Sequence, residues 1–338
     1  MTTTDDSNTL AKGTLRAEIT RVVVFDTNAY RVLTYGCSIA ESKAKARNLA
    51  DSEFFTKTKA LANPFVIWEL ISHLADTEDP AYNHCLNALA ALVEHTRLPD
   101  DKNGGVCRVA DGETELCRQL FNQLPPHAAE NTSNLSQMAS FVWQDAPMIT
   151  DPVIINNINA FSVAMAEREA AWLDHMEALL SNLRSAGTLE SGSESSAKNR
   201  TQKTRTLLNS PEFAKICALG KVENLAALLS LPLSPAEANE TSGRLLEIYP
   251  SAIQLMTTTV AGWFDAPDMN LRNPKKKRAN FVWDTALCFS FGRHHKIENA
   301  NVLFVTGDQA IHDAAKNAAC PDLVMTLDAY QQEHLPPS

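Results

Sequence analysis

The stretch RVVVFDTN, residues 21–28, sets five residues rich in β-branched side chains directly against an acid, Asp26, with Thr27 and Asn28 behind it. A short run with no polar residue inside it predicts a strand covered on both faces, and such strands belong to parallel sheets with helices on either side. The abrupt change at Asp26 marks the strand opening into a polar loop. Working outward, the same pattern returns near the other end of the chain. NVLFVTGD, residues 301–308, is apolar until it breaks at Gly307-Asp308, and LVMTL, residues 323–327, follows Pro321-Asp322. One parallel α/β sheet built from sequence-distant pieces is therefore expected.

Between these ends the pattern is helical. Residues 40–60 are rich in Ala, Lys and Glu, and Pro64, Pro80, Pro152, Pro211 and Pro250 each stand where a helix can begin. The expected organisation is a sheet-bearing first part over 1–76, a large, mainly α-helical insertion over 77–279, and a second sheet-bearing part over 280–338. Residues 187–203 (GTLESGSESSAKNRTQK) hold too little apolar surface to order themselves and read as a mobile loop.

The chain's 338 residues carry 30 Lys and Arg against 40 Asp and Glu, a formal net charge of −10, which disfavours indiscriminate adhesion to nucleic acid without excluding a local basic groove. No apolar stretch has spanning length, so a membrane protein is not expected. The polar, acidic start shows no secretory signal, and a cytoplasmic location follows as an expectation. Seven scattered cysteines without a C-x-x-C spacing fit reduced thiols.

Four acids stand in apolar surroundings: Asp26 and Asp308 after buried strands, Glu69 inside FVIWELISHL, and Asp284 after Phe-Val-Trp. A lone acid at a strand end is commonly a helix cap. Strands of a parallel sheet nevertheless converge at their carboxyl ends, where side chains from distant segments meet in one crevice. Carboxylates gathered there repel one another unless a cation neutralises them, and an all-oxygen set suits Mg²⁺ or Mn²⁺.

These four motifs, DTN at 26–28, Glu69 in an apolar helix, WDTALCFSFG from Trp283 and FVTGDQAI around Asp308, resemble the PIN-domain nucleases. The resemblance implies a PIN-like fold and a metal-dependent ribonuclease in which Asp26, Glu69, Asp284 and Asp308 hold Mg²⁺ or Mn²⁺ for phosphodiester hydrolysis. Asn28 and Thr306 match the supporting polar positions. RNA is the implied substrate, and a toxin or defence role, with an antitoxin, another protein or a second copy of the chain as partner, stays open. The family's compact form departs from this chain at one point: more than two hundred positions separate Glu69 from Asp284, and another Glu of the insertion is a candidate for its place.

Lys275, Lys276, Lys277 and Arg278 immediately precede the Asp284 segment and read as a phosphate-binding run, with Arg293, His294, His295 and Lys296 as a second cluster. VVVFDTN and VTGDQAIHD also resemble haloacid-dehalogenase-type phosphotransferases, in which Asp26 would attack phosphorus. That family's second acid is replaced here by Asn28, and it has no use for Asp284. A third reading is a non-catalytic module binding RNA or protein. His73, His84 and His95 recur at intervals of 11 with no evident acid partner and read as surface or core residues, and most of the five tryptophans should be core.

Overall fold

The computed structural model describes residues 19–97, 105–106, 112–126, 128–145, 149–185, 194–266, 270–272, 280–297 and 299–334. The chain opens with β1 (Arg21–Phe25), α1 (Thr27–Leu33), α2 (Ile39–Phe55), β2 (Thr58–Ala60), α3 (Pro64–Ser72) and α4 (Tyr82–Thr96). A helical stretch follows: α5 (Gly112–Phe121), α6 (Ala128–Asp145), α7 (Pro152–Ser185), α8 (Glu194–Leu208), α9 (Pro211–Leu228), α10 (Pro235–Ile248), α11 (Pro250–Phe264) and α12 (Asn280–Cys288). The remainder is β3 (Lys296–Ile297), β4 (Ala300–Val305), α13 (Gln309–Asn317), a 3₁₀ turn at Pro321–Leu323, β5 (Val324–Met325) and α14 (Leu327–His334).

The architecture is α/β, mostly helical, with a small sheet flanked by helices. β1 and β4 run parallel in the middle, in register from Arg21 opposite Asn301 to Phe25 opposite Val305. β2 extends the sheet parallel to β1, β5 pairs parallel with the last residues of β4, and β3 adds a short antiparallel edge. Val22, Val23 and Val24 are fully buried, as are Phe304 and Val305, so the two apolar runs form the expected two-sided strands. Leu86, Leu116, Met138, Ile158, Val222 and Leu245 from the middle of the chain enter the same core, so helices of that segment share one continuous core with the sheet.

Two local expectations change. More than half of the stretch read as a mobile loop, from Glu194 onward, is helical, because α8 ends in Leu208, which is buried in a second, smaller core with Phe213, Trp263 and Phe264. Residues 187–193 lie outside the described residues. His73 and His95 also have acid partners: Asp79, 2.7 Å away across the turn after α3, and Glu53 on α2. Neither pairing is visible in sequence periodicity, since one crosses a turn and the other crosses between helices. Cys37, Cys85, Cys217, Cys288 and Cys320 are free thiols.

His95 anchors a polar knot inside the core. Its Nε2–H donates to both Glu53 oxygens at 2.9 Å, its Nδ1 meets the Tyr30 hydroxyl at 3.0 Å, and the Tyr330 hydroxyl donates to Glu53 at 2.7 Å. The knot ties α1, α2, α4 and α14 together behind the sheet. Hydrogen bonds to a charged group contribute ~1.5–3 kcal/mol, so Tyr330→Phe is expected to destabilise the fold by about 2 kcal/mol. A urea melt with an unchanged midpoint would show that the knot contributes nothing.

Candidate acidic site

The register of β1 and β4 brings the two strand-end motifs side by side. Thr306 follows β4; its hydroxyl donates to Asp26 Oδ2, and its own Oγ1 accepts the Asp308 N–H at 2.9 Å. Thr306 is itself fixed by its N–H to the Met325 carbonyl and by its carbonyl, which accepts from His312 Nε2 at 3.0 Å. Both acids cap helices: Asp26 Oδ1 accepts from Ala29 N–H at 2.5 Å, and Asp308 Oδ1 accepts from Ala310 and Ile311 N–H at 2.7 and 3.2 Å. The cap and the cluster are thus compatible roles. Each aspartate sits at a helix N-terminus, where the backbone amides favour negative charge.

The other two acids arrive on helices locked together by aromatic packing. Asn63 caps α3 through Phe65 N–H and donates its amide to Ser290 Oγ at 2.6 Å, fastening α3 to the segment after α12. Trp283 of α12 then packs on Phe65 and Trp68 of α3, with ring centroids 5.5 and 5.6 Å apart. This places Glu69 and Asp284 beside the sheet edge. Glu69 accepts from the Thr27 hydroxyl at 2.6 Å and faces Arg31 at 3.9 Å.

The electrostatics show that the four carboxylates share one neighbourhood. Burial pushes Asp26 up to about 7, opposed by its bonds from Thr306 and Ala29 and reinforced by the charges of Glu69 and Asp308. Asp284 is pushed up to about 8, first by burial and then by Asp308, Glu69 and Asp26. Its carboxylate has no hydrogen-bond or ion-pair partner among the described residues. Groups perturbed by burial and by each other's charge mark functional sites more often than structural ones.

The donor chemistry fits a hard divalent cation: four oxygen-bearing side chains with excess buried negative charge. They are not closed on a point, for among the described residues no three acid, His or Cys side chains stand in ligating geometry. The contacts explain this opening. Both Asp26 oxygens and one of Asp308 are held by hydrogen bonds, Glu69 turns to Thr27 and Arg31, and repulsion keeps like charges apart.

Of the other residues singled out in the sequence, Thr306 is fully integrated. Asn28 is exposed in the first turn of α1, and its side chain makes no hydrogen bond among the described residues. Lys275, Lys276, Lys277 and Arg278 lie outside the described residues. The second basic cluster is partly committed elsewhere: Arg293 donates to the Ala318 carbonyl, and His295 is buried 2.9 Å from Glu115, whose carboxyl burial would raise but which His295, Arg118 and Gln119 together hold at about 2. Sequence reading missed Arg31, since nothing local distinguishes it. It also missed Glu169 of α7, which accepts from Trp283 Nε1 at 2.6 Å, although a further insertion Glu was anticipated in general terms.

Comparison with protein-family models, curated proteins and solved structures found no match. Among the described residues no helix is long and apolar enough to cross a membrane.

Proposed function

We propose that the chain is a divalent-metal-dependent ribonuclease of PIN-like type. The observation that carries this reading is the convergence, at the carboxyl edge of a parallel sheet, of Asp26, Glu69, Asp284 and Asp308 from four separate segments, each adding to a like-charge field that a bound cation relieves. Mg²⁺ or Mn²⁺ bound there supplies activation of water and stabilisation of the leaving oxygen in phosphodiester hydrolysis.

The chain's own groups have distinct tasks. Asp26, Asp284 and Asp308 hold the cation, and Glu69 completes the negative field on the side of α3. Thr306 is a positioning residue: it fixes the Asp26 carboxylate and the Asp308 backbone at once. Arg31, 3.9 Å from Glu69 and donating to Cys85 Sγ at 3.0 Å, adds one positive charge beside the acids. No serine or cysteine nucleophile enters the scheme.

The decisive measurement is cleavage of single-stranded RNA by the purified protein with Mg²⁺ or Mn²⁺ and with chelator. Loss of cleavage on chelation is expected. Release of phosphate from small phosphoesters without RNA cleavage would replace this reading with a phosphotransferase. Thr306→Val keeps the side-chain volume and removes the hydroxyl, and loss of such supporting contacts lowers metal affinity or activity ~10–100-fold. A raised Mg²⁺ requirement is expected together with a modest fall in melting temperature, since the Asp308 N–H loses its acceptor, and an unchanged requirement would reduce Thr306 to a turn residue.

A further inference from the structure

Beside the acids, α7 closes one side of a cleft of about 310 Å³, whose walls include Glu69, His73, Asp79, Met165, Glu169 and Trp283. This volume lies at the small end for ligand sites and suits one planar group, not a stack. No lysine or arginine lines it among the described residues, so its acidic walls repel phosphate. They accept hydrogen bonds instead. Glu169 Oε1 is taken by the Trp283 N–H, but its Oε2 has no partner among the described residues. Asp79 is differently placed: its oxygens are turned to His73 and to the Ala81 N–H, which makes it a wall and leaves Glu169 as the acceptor. Trp283 and Met165 are buried, the indole packed on Phe65 and Trp68 with Arg168 over its ring, so they form the apolar floor of the cleft and Glu169 its polar contact.

Single-stranded RNA is read through unstacked bases that lie against aromatic side chains and bond through their edges, and a carboxylate selects the exocyclic amine. We propose that this cleft receives one splayed base of the RNA strand, with Glu169 accepting from an exocyclic amine, so that cytosine or adenine is favoured over uracil. The proposal deepens the ribonuclease reading and rests on it for the identity of the strand. The contiguity of the two regions through Glu69 puts the selected base next to the scissile phosphate, and Trp283, one residue before Asp284, links base recognition to the acid cluster.

The test measures binding without cleavage: fluorescence anisotropy of labelled oligo(C), oligo(A) and oligo(U) in chelator, where repulsion from the acids affects all three alike. Wild-type protein is expected to bind oligo(C) and oligo(A) about tenfold more tightly than oligo(U), the discrimination given by one good base contact. Glu169→Gln retains an acceptor for Trp283 and offers an amide N–H to uracil, and should bring the ratio below about threefold. Ser162→Trp fills the cleft from α7 and should abolish the ratio, with melting temperatures confirming that both variants fold. Equal binding of the three by wild type, or an undiminished ratio in Glu169→Gln, would overturn the subsite. Base selectivity without metal-dependent cleavage would remove the ribonuclease reading and keep the subsite; cleavage with a flat ratio would do the reverse.

Discussion

Asp308→Asn is expected to lower metal-dependent RNA cleavage by ~10²–10³-fold, the loss that follows removal of one preorganised charged group from a site that stabilises developing charge. The fold should survive, because asparagine caps a helix as well as aspartate does and the Ala310 and Ile311 amides keep an acceptor. Asp26→Asn should lose as much activity, yet it removes a carboxyl that burial and its neighbours hold at about 7. Above that pH the variant is therefore expected to melt at a higher temperature than the metal-free wild type. A drop in activity accompanied by a drop in melting temperature would mean that Asp26 serves the fold alone. RNA cleavage rates measured alongside thermal melts at pH 8 separate the two outcomes.

The second large effect is the pH dependence of stability in metal-free protein. A carboxyl at about 7 or 8 in the fold and at 3.8 in the unfolded chain keeps its proton when folded and releases it when unfolded, across the whole interval between those values. The native state then binds more protons, so stability is complete below about pH 4 and falls as pH rises toward 8. Raising Asp26 from 3.8 to about 7 corresponds to roughly 4 kcal/mol at most. A fall in melting temperature of ~5–10 °C between pH 5 and pH 8.5 is expected, and excess Mg²⁺ should largely restore it at the upper end. The variant carrying both Asp26→Asn and Asp284→Asn should show a flatter profile. A wild-type profile that rises with pH, or one that the double substitution leaves unchanged, would place these carboxylates in water and not in the buried cluster.

Much of the scaffold was legible because its signals are local. RVVVF and NVLFV are buried strands in register, and α11 and α7 begin at Pro250 and Pro152 as their sequences indicate. β2 escaped because a three-residue strand with Lys59 at its centre has no periodicity to read. α10 escaped because the polar run PAEANETSG hides a helix set by a capping box, with Ser234 and Glu237 satisfying each other's backbone amides. The site divides likewise. Asp26 and Asp308 are marked by the strands before them, whereas Glu169 and Arg31 acquire meaning only through contacts made across the fold, to Trp283 and to Glu69.

The pairing of β1 with β4 also governs when the acid cluster can assemble during the chain's own synthesis. Asp26 and Thr306 are separated by 280 positions, which at ~5–20 residues per second takes the ribosome roughly 14–56 s to cover. For that interval Val22, Val23 and Val24 can pair with β2 but have an open edge on the side β4 will fill. Such an open edge is an aggregation liability until β4 fills it. The same delay keeps the acid cluster incomplete until β4 and Asp308 have emerged, so no unfinished chain can bring the four carboxylates together.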